Sequence, residues 1–159
     1  NFPVDKRGLI HENDIRQLQA MAKQIKVDFA HNLARESKAS TSSYRGKGYE
    51  AKRVLDGDIK TYWATADNVI QASLTIEFNH STTFNRFLVQ EYIQLGQRVK
   101  AFIVEVRNDG AWREIIRETT IGYKRILRFT DVTATAVRLK ILDSKACPTI
   151  SNVEIFYAP

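Results

Sequence analysis

The chain has 159 residues, 43% of them hydrophobic, with 24 Lys and Arg against 18 Asp and Glu for a net charge of +6. That length can bury a core without cross-links, and the single cysteine, Cys147, excludes an intrachain disulfide. The basic residues are interspersed with acids instead of forming runs, which argues against a nucleic-acid partner, and no apolar run nears the roughly 20 residues of a membrane span, so no membrane insertion is expected.

The chain opens Asn1-Phe2-Pro3-Val4, with no initiator Met and no charged-then-apolar leader, so a fragment or processed form is expected, its targeting signal lying elsewhere. Asn13 or Asp14 then makes a good helix N-cap. Behind it Ile15, Leu18, Met21, Ala22, Ile25, Phe29 and Leu33 recur at three- and four-residue steps, one apolar face of a helix. An isolated helix is marginal in water, so this one should dock on the succeeding domain, pair with a second copy, or belong against a domain outside this chain. The pattern breaks near Ala34, which divides the chain into residues 1–34 and a second unit at 35–159.

From Lys38 onward the period falls to two. Leu74-Ile76-Phe78, Phe102-Val104-Val106, Val137-Leu139-Ile141 and Val153-Ile155-Tyr157 alternate apolar side chains onto one face, and further strands are expected around 84–90, 112–117 and 121–129. About eight short strands with no helices between them predict an all-β fold, an antiparallel β-sandwich of jelly-roll type preceded by one N-terminal α-helix.

One stretch carries candidate chemistry, and the histidines and the cysteine do not. Asp56-Gly57-Asp58, with Thr61 and then Tyr62-Trp63, reads either as a plain Asx turn or as half of a cation site whose other half is Glu154. The histidines His11, His31 and His80 are too dispersed for a zinc site or a catalytic triad. Cys147, just before Pro148 and an apolar strand, reads as a buried packing residue.

The run Ala51-Lys52-Arg53-Val54-Leu55-Asp56-Gly57-Asp58-Ile59-Lys60-Thr61-Tyr62-Trp63 resembles the signature of discoidin, or coagulation factor 5/8 type C, domains, which overlap with carbohydrate-binding module family 32. The resemblance extends over residues 35–157. It implies a galactose-binding-domain-like jelly roll with a structural Ca2+ held by the carbonyl of Arg53, the carboxylate of Asp56, the carbonyl of Asp58, both oxygens of Thr61, the carbonyl of Val153 and the carboxylate of Glu154. Trp63 is then a core residue.

A second resemblance covers the rest. Phe2-Pro3-Val4-Asp5-Lys6-Arg7-Gly8-Leu9-Ile10-His11-Glu12-Asn13-Asp14 is similar to the end of the catalytic barrel in α-L-fucosidases of glycoside hydrolase family 29. Residues 90–99 and 119–125 resemble the discoidin-like tail of the same enzymes. The implied parent is a bacterial fucosidase, periplasmic or extracellular, of which residues 1–34 are a catalytic-domain remnant with a docked helix. A barrel needs roughly 250 residues, so no catalysis is expected from this chain.

Sugar recognition needs an aromatic face for the pyranose ring and convergent polar groups for its hydroxyls. The candidates are Tyr44 and Tyr49, flanking Arg45-Gly46-Lys47-Gly48, together with Tyr92, Gln94 and Gln97. Three functions stay open: a module binding fucose- or galactose-containing glycans for a covalently linked catalytic domain, a structural buttress of that domain, or an adhesion module for proteins or cell surfaces. The 44–49 loop is polar and basic, without the apolar spikes that membrane adhesion uses.

Overall fold

A computed structural model describes residues 4–158. The helix α1 spans Glu12–Asp28, and seven strands come after it: β1 Lys38–Thr41, β2 Trp63–Ala64, β3 Ala72–Glu91, β4 Val99–Asn108, β5 Ala111–Glu118, β6 Arg125–Ser144 and β7 Thr149–Phe156. Every pairing between named strands is antiparallel. Two short 3-10 turns, η1 at Ala51–Leu55 and η2 at Ile93–Leu95, lie in the loops.

The hydrogen-bonded path β2-β7-β3-β6-β4-β5, with β1 on β3, is formally one sheet. It doubles over because β3 and β6 are each 20 residues long and serve two layers. Residues 72–77 of β3 lie between β1 and the second half of β6, which continues to β4 and β5. Residues 86–91 lie between β7 and the first half of β6, and β2 closes that layer's edge. Register shifts between Glu77 and Thr82 and between Phe84 and Arg86 mark the corner, as bulges do where a strand must bend. Phe84 fills that corner, its ring 5.7 Å from Phe78 and 5.8 Å from Phe129.

The sandwich is therefore the expected one, with one difference in how its strands are counted. The segments anticipated at 74–78 and 84–90 are one bent strand, and those at 121–129 and 137–141 likewise merge into one, which begins only at Arg125 because Ile121 to Lys124 form a loop. The expected inward faces hold: Leu74, Ile76, Phe102, Val104, Val106, Val137, Leu139, Ile141, Val153 and Ile155 are all buried in one cluster with Trp63. Tyr157 differs, because β7 ends at Phe156 and Tyr157 lies exposed beyond it.

The helix needs a fuller correction. Its N-cap is His11, whose Nδ1 accepts from the Asn13 N–H at 3.2 Å, and none of its 17 residues is buried. Ile15, Met21 and Ile25 remain exposed. Only its C-terminal end is seated, where Phe29 packs edge-on against Phe156 at 5.0 Å. A docked helix in the sense of a buried stripe is thus not what the described residues form; the apolar face has no surface of the sandwich under it. Asn32 and Leu33 already belong to the sandwich, since the Leu33 N–H donates to the Ile155 carbonyl and Asn32 Oδ1 accepts from Ile155 N–H. Phe2 and Pro3 of the N-terminal motif lie outside the described residues.

Candidate functional site

Trp63 sets the geometry of the whole loop end. Its side chain is fully buried in β2 and its Nε1–H donates to the Ser43 carbonyl at 2.9 Å, tying the 41–49 loop to the core. The neighbouring Tyr62, just ahead of β2, is only partly buried. It stacks on Tyr92 with ring centroids 4.2 Å apart and planes 18° from parallel, and the Tyr49 ring lies 5.2 Å from it, tilted by 56°. Burial, then a hydrogen bond with Tyr49, raises the Tyr62 pKa.

Cationic groups border this row of three tyrosines. Arg45 lies over the Tyr49 ring, its guanidinium carbon 5.5 Å from the centroid. It pairs with Asp67 and donates to the Cys147 sulfur at 3.0 Å. Arg98 approaches the same sulfur from the opposite loop at 2.9 Å and donates to the Cys147 carbonyl at 2.8 Å. Tyr92 donates its hydroxyl to Gln94 Oε1 at 2.9 Å, and Gln97 lies over Gly122. Of the five expected sugar-binding residues, Tyr49, Tyr92 and Gln94 thus come together. Gln97 sits at the margin of the group. Tyr44 is elsewhere, exposed and lining a groove of about 340 Å³ with Ala39, Thr41 and Glu50.

Tyr62, Arg45, Asp67 and Arg98 were not among the expected residues. The signal for Tyr62 was its position beside a tryptophan at the start of a strand; nothing local marks Asp67, which meets Arg45 across 22 residues.

Beneath the row lies Glu91, 2% exposed. Its Oε1 accepts from the N–H groups of Arg98 and Val99 at 2.7 and 2.9 Å, and its Oε2 from Gly122 N–H at 2.8 Å. It is a buried brace between the loops at 91–99 and 119–124.

The acidic loop at the other end of η1 forms a second constellation. Asp56 Oδ1 accepts from Asp58 N–H at 2.9 Å and Asp58 Oδ1 from Lys60 N–H at 2.9 Å, so both side chains shape the turn. Thr61 Oγ1 then stands 2.7 Å from Asp56 Oδ2, 3.1 Å from the Asp58 carbonyl and 3.5 Å from the Arg53 carbonyl. One hydroxyl proton cannot serve three acceptors. Four oxygens crowd together with a single proton among them, which is a donor set suited to a hard cation. The Arg53 guanidinium, 3.8 Å from Asp56, is the nearby positive charge. Val153 and Glu154 lie on β7, against which η1 packs. The Glu154 side chain forms no hydrogen bond or ion pair with another described residue. Among the described residues no three of His, Cys, Asp and Glu gather into a metal-holding group, so a cation here would need carbonyl and hydroxyl oxygens beside at most two carboxylates. No helix among the described residues is long and apolar enough to cross a membrane.

Comparison with known proteins places this geometry in context. The sequence profile described as the F5/8 type C domain matches residues 37–155. Alpha-L-fucosidase 1 of Arabidopsis thaliana is 33% identical over 162 aligned residues, covering 98% of this chain and 32% of that protein. The chain spans about a third of the length of the curated relatives it matches, 32% and 31%. A Ruminococcus gnavus GH29 fucosidase in complex with fucose superposes with a TM-score of 0.90 at 28% identity, over 100% of this chain and 33% of its own. A chitosan-binding module from a Paenibacillus sp. IK-5 chitosanase/glucanase superposes with a TM-score of 0.72 at 28% identity, over 79% of this chain and 98% of its own.

Proposed function

The chain belongs to the F5/8 type C domain family, and from that premise we propose that it is the non-catalytic carbohydrate-binding module of an α-L-fucosidase acting in the periplasm or outside the cell. The observation that carries this reading is the row Tyr49, Tyr62 and Tyr92 at the loop end of the sandwich, bordered by Arg45, Arg98, Gln94 and Asp67. Aromatic rings next to convergent donors and acceptors are what a pyranose requires. The relatives support the fucosidase context, and a fucose- or galactose-containing oligosaccharide is the ligand class it suggests.

The uncovered face of α1 favours a covalently attached catalytic domain as its partner. The chitosan-binding module matches 79% of this chain, whereas the whole fucosidase matches all of it. Ile15, Met21 and Ile25 would then be covered by the enzyme portion. The same face supports a second reading, in which the domain only buttresses its enzyme. A glycan array run on this chain and on the intact enzyme decides between them: saturable binding by the isolated chain, weakened by Tyr92→Ala, supports the module, and silence of the isolated chain supports the buttress.

The crowded oxygens around Thr61 support a structural calcium held by the carbonyls of Arg53, Asp58 and Val153, both oxygens of Thr61 and the carboxylates of Asp56 and Glu154. Such an ion would bridge the η1 loop to β7, across nearly a hundred residues of chain. Melting with and without chelator tests it; equal midpoints for the wild type under both conditions refute it.

A further inference from the structure

The charges at the tyrosine row are unbalanced. Arg45 and Arg98 converge on one sulfur, and among the described residues the only carboxylate paired with either is Asp67, whose side chain is 79% exposed. Sulfur is a weak acceptor, so the approaches at 2.9 and 3.0 Å add little to what the same nitrogens already have, the Cys147 carbonyl for Arg98 and the exposed Asp67 for Arg45. Much of their donor capacity is also unused. Arg98 commits Nε to the Leu95 carbonyl and Nη1 to Cys147, which leaves Nη2 without an acceptor among the described residues. Arg45 commits only Nη2, which leaves Nε and Nη1.

Planar guanidinium forks match carboxylate and sulfate oxygens better than they match neutral hydroxyls, and hydrogen bonds to a charged partner are roughly twice as strong. We propose that Arg45, Arg98 and the Tyr49, Tyr62, Tyr92 row form a site for a saccharide that bears an oxyanion, either a ring carboxylate or a sulfate ester. The proposal rests on the carbohydrate-binding reading and narrows its ligand class. The oxyanion bridges the two guanidinium groups and displaces the Asp67 carboxylate from Arg45, and the sugar ring rests against the tyrosines. Asp67 acts as an internal stand-in for the ligand, swinging clear into solvent, where most of its side chain already lies. The net charge of +6 adds long-range attraction for such ligands.

Calorimetry on this chain tests the site with four probes: a galacturonate trisaccharide, a sulfated galactose oligosaccharide, the matching neutral galactose oligosaccharide, and inorganic sulfate. At least one acidic saccharide is expected to bind about tenfold or more tighter than the neutral one. Arg45→Gln and Arg98→Gln should each abolish that preference, and Tyr92→Ala should weaken binding of every saccharide. Asp67→Asn should tighten acidic binding, a gain that damaged folding cannot mimic. Which acidic probe binds distinguishes carboxylate from sulfate ester, and either supports the site. Equal affinity for neutral and acidic saccharides overturns the inference and leaves the carbohydrate module standing. Acidic binding that survives Tyr92→Ala and is matched by inorganic sulfate overturns it as plain ion exchange. No saccharide binding at all overturns both.

Discussion

Single side chains hold this loop end together, and Glu91 does the most. It accepts three backbone N–H groups from two loops while almost fully buried. Glu91→Ala would strand those donors and leave a cavity, and a buried donor left unpaired costs about 1–3 kcal/mol. Chemical denaturation should therefore show a loss of roughly 3 kcal/mol or more, with Glu91→Gln less damaging because one acceptor oxygen remains. At the opposite end of the chain Asp5 accepts from the N–H groups of Arg7 and Leu9 and pairs with the Arg7 guanidinium. The Leu9 N–H, then the Arg7 side chain, lowers its pKa. A lowered folded-state pKa means that the clip between Val4 and Ile10 is present above the ordinary carboxylate value of about 3.9 and is lost as pH falls through the folded one. The Leu9 amide resonance should accordingly hold its position down to about pH 4 and move below it, while core amides stay in place.

At the scale of elements, β3 and β6 explain why two layers behave as one unit. Each strand runs through both layers, so neither layer can separate without breaking the ladders that the same strand makes in the other. The chain end is fastened to this corner by Asn85, whose amide donates to the Ala158 carbonyl at 2.7 Å and to Asp131 at 2.9 Å while its oxygen accepts from Ala158 N–H at 2.9 Å. Asn85→Ala is expected to cost about 2 kcal/mol or more in denaturant unfolding, because both groups of Ala158 lose their partners. The alternating pattern made the strands legible. Their merger was not, because the polar residues around 79–83 interrupt the apolar alternation, and only the ladder from Thr82 to Ala134 and Thr83 to Thr133 carries the strand through. The η1 loop shows the same division: Asp56-Gly57-Asp58 marks a turn locally, but the crowding of Arg53, Asp56 and Asp58 oxygens on Thr61 needs the folded loop.

Across the whole molecule the helix and the sandwich are energetically distinct. Removing residues 1–28 takes away no buried residue of α1, so the sandwich should melt within a few degrees of the full chain. An ordinary surface change is worth about 0.5 kcal/mol or less. The calcium proposal predicts the opposite sensitivity. Closing so long a loop covalently would contribute up to about 4–5 kcal/mol, and a dissociable ion less. Saturating calcium should raise the wild-type midpoint by several degrees and leave Asp56→Ala unmoved, as read by calorimetry.

The amino-acid sequence by itself determined the sandwich and its inward faces, because these come from a period of two and from apolar surface that must leave water wherever the strands end up. The tertiary structure alone decided the site. Tyr62 and Tyr92 stack across 30 residues, Arg45 and Arg98 meet at Cys147 from 102 and 49 residues away, and Glu91 ties down a loop 31 residues on. Such meetings depend on which loops the doubled strands bring to one end, and no local pattern encodes that distance. The helix lies between the two cases: its apolar stripe is written in the sequence, but whether this sandwich covers it depended on where the chain turns after Phe29, and that turn carries the stripe clear of it.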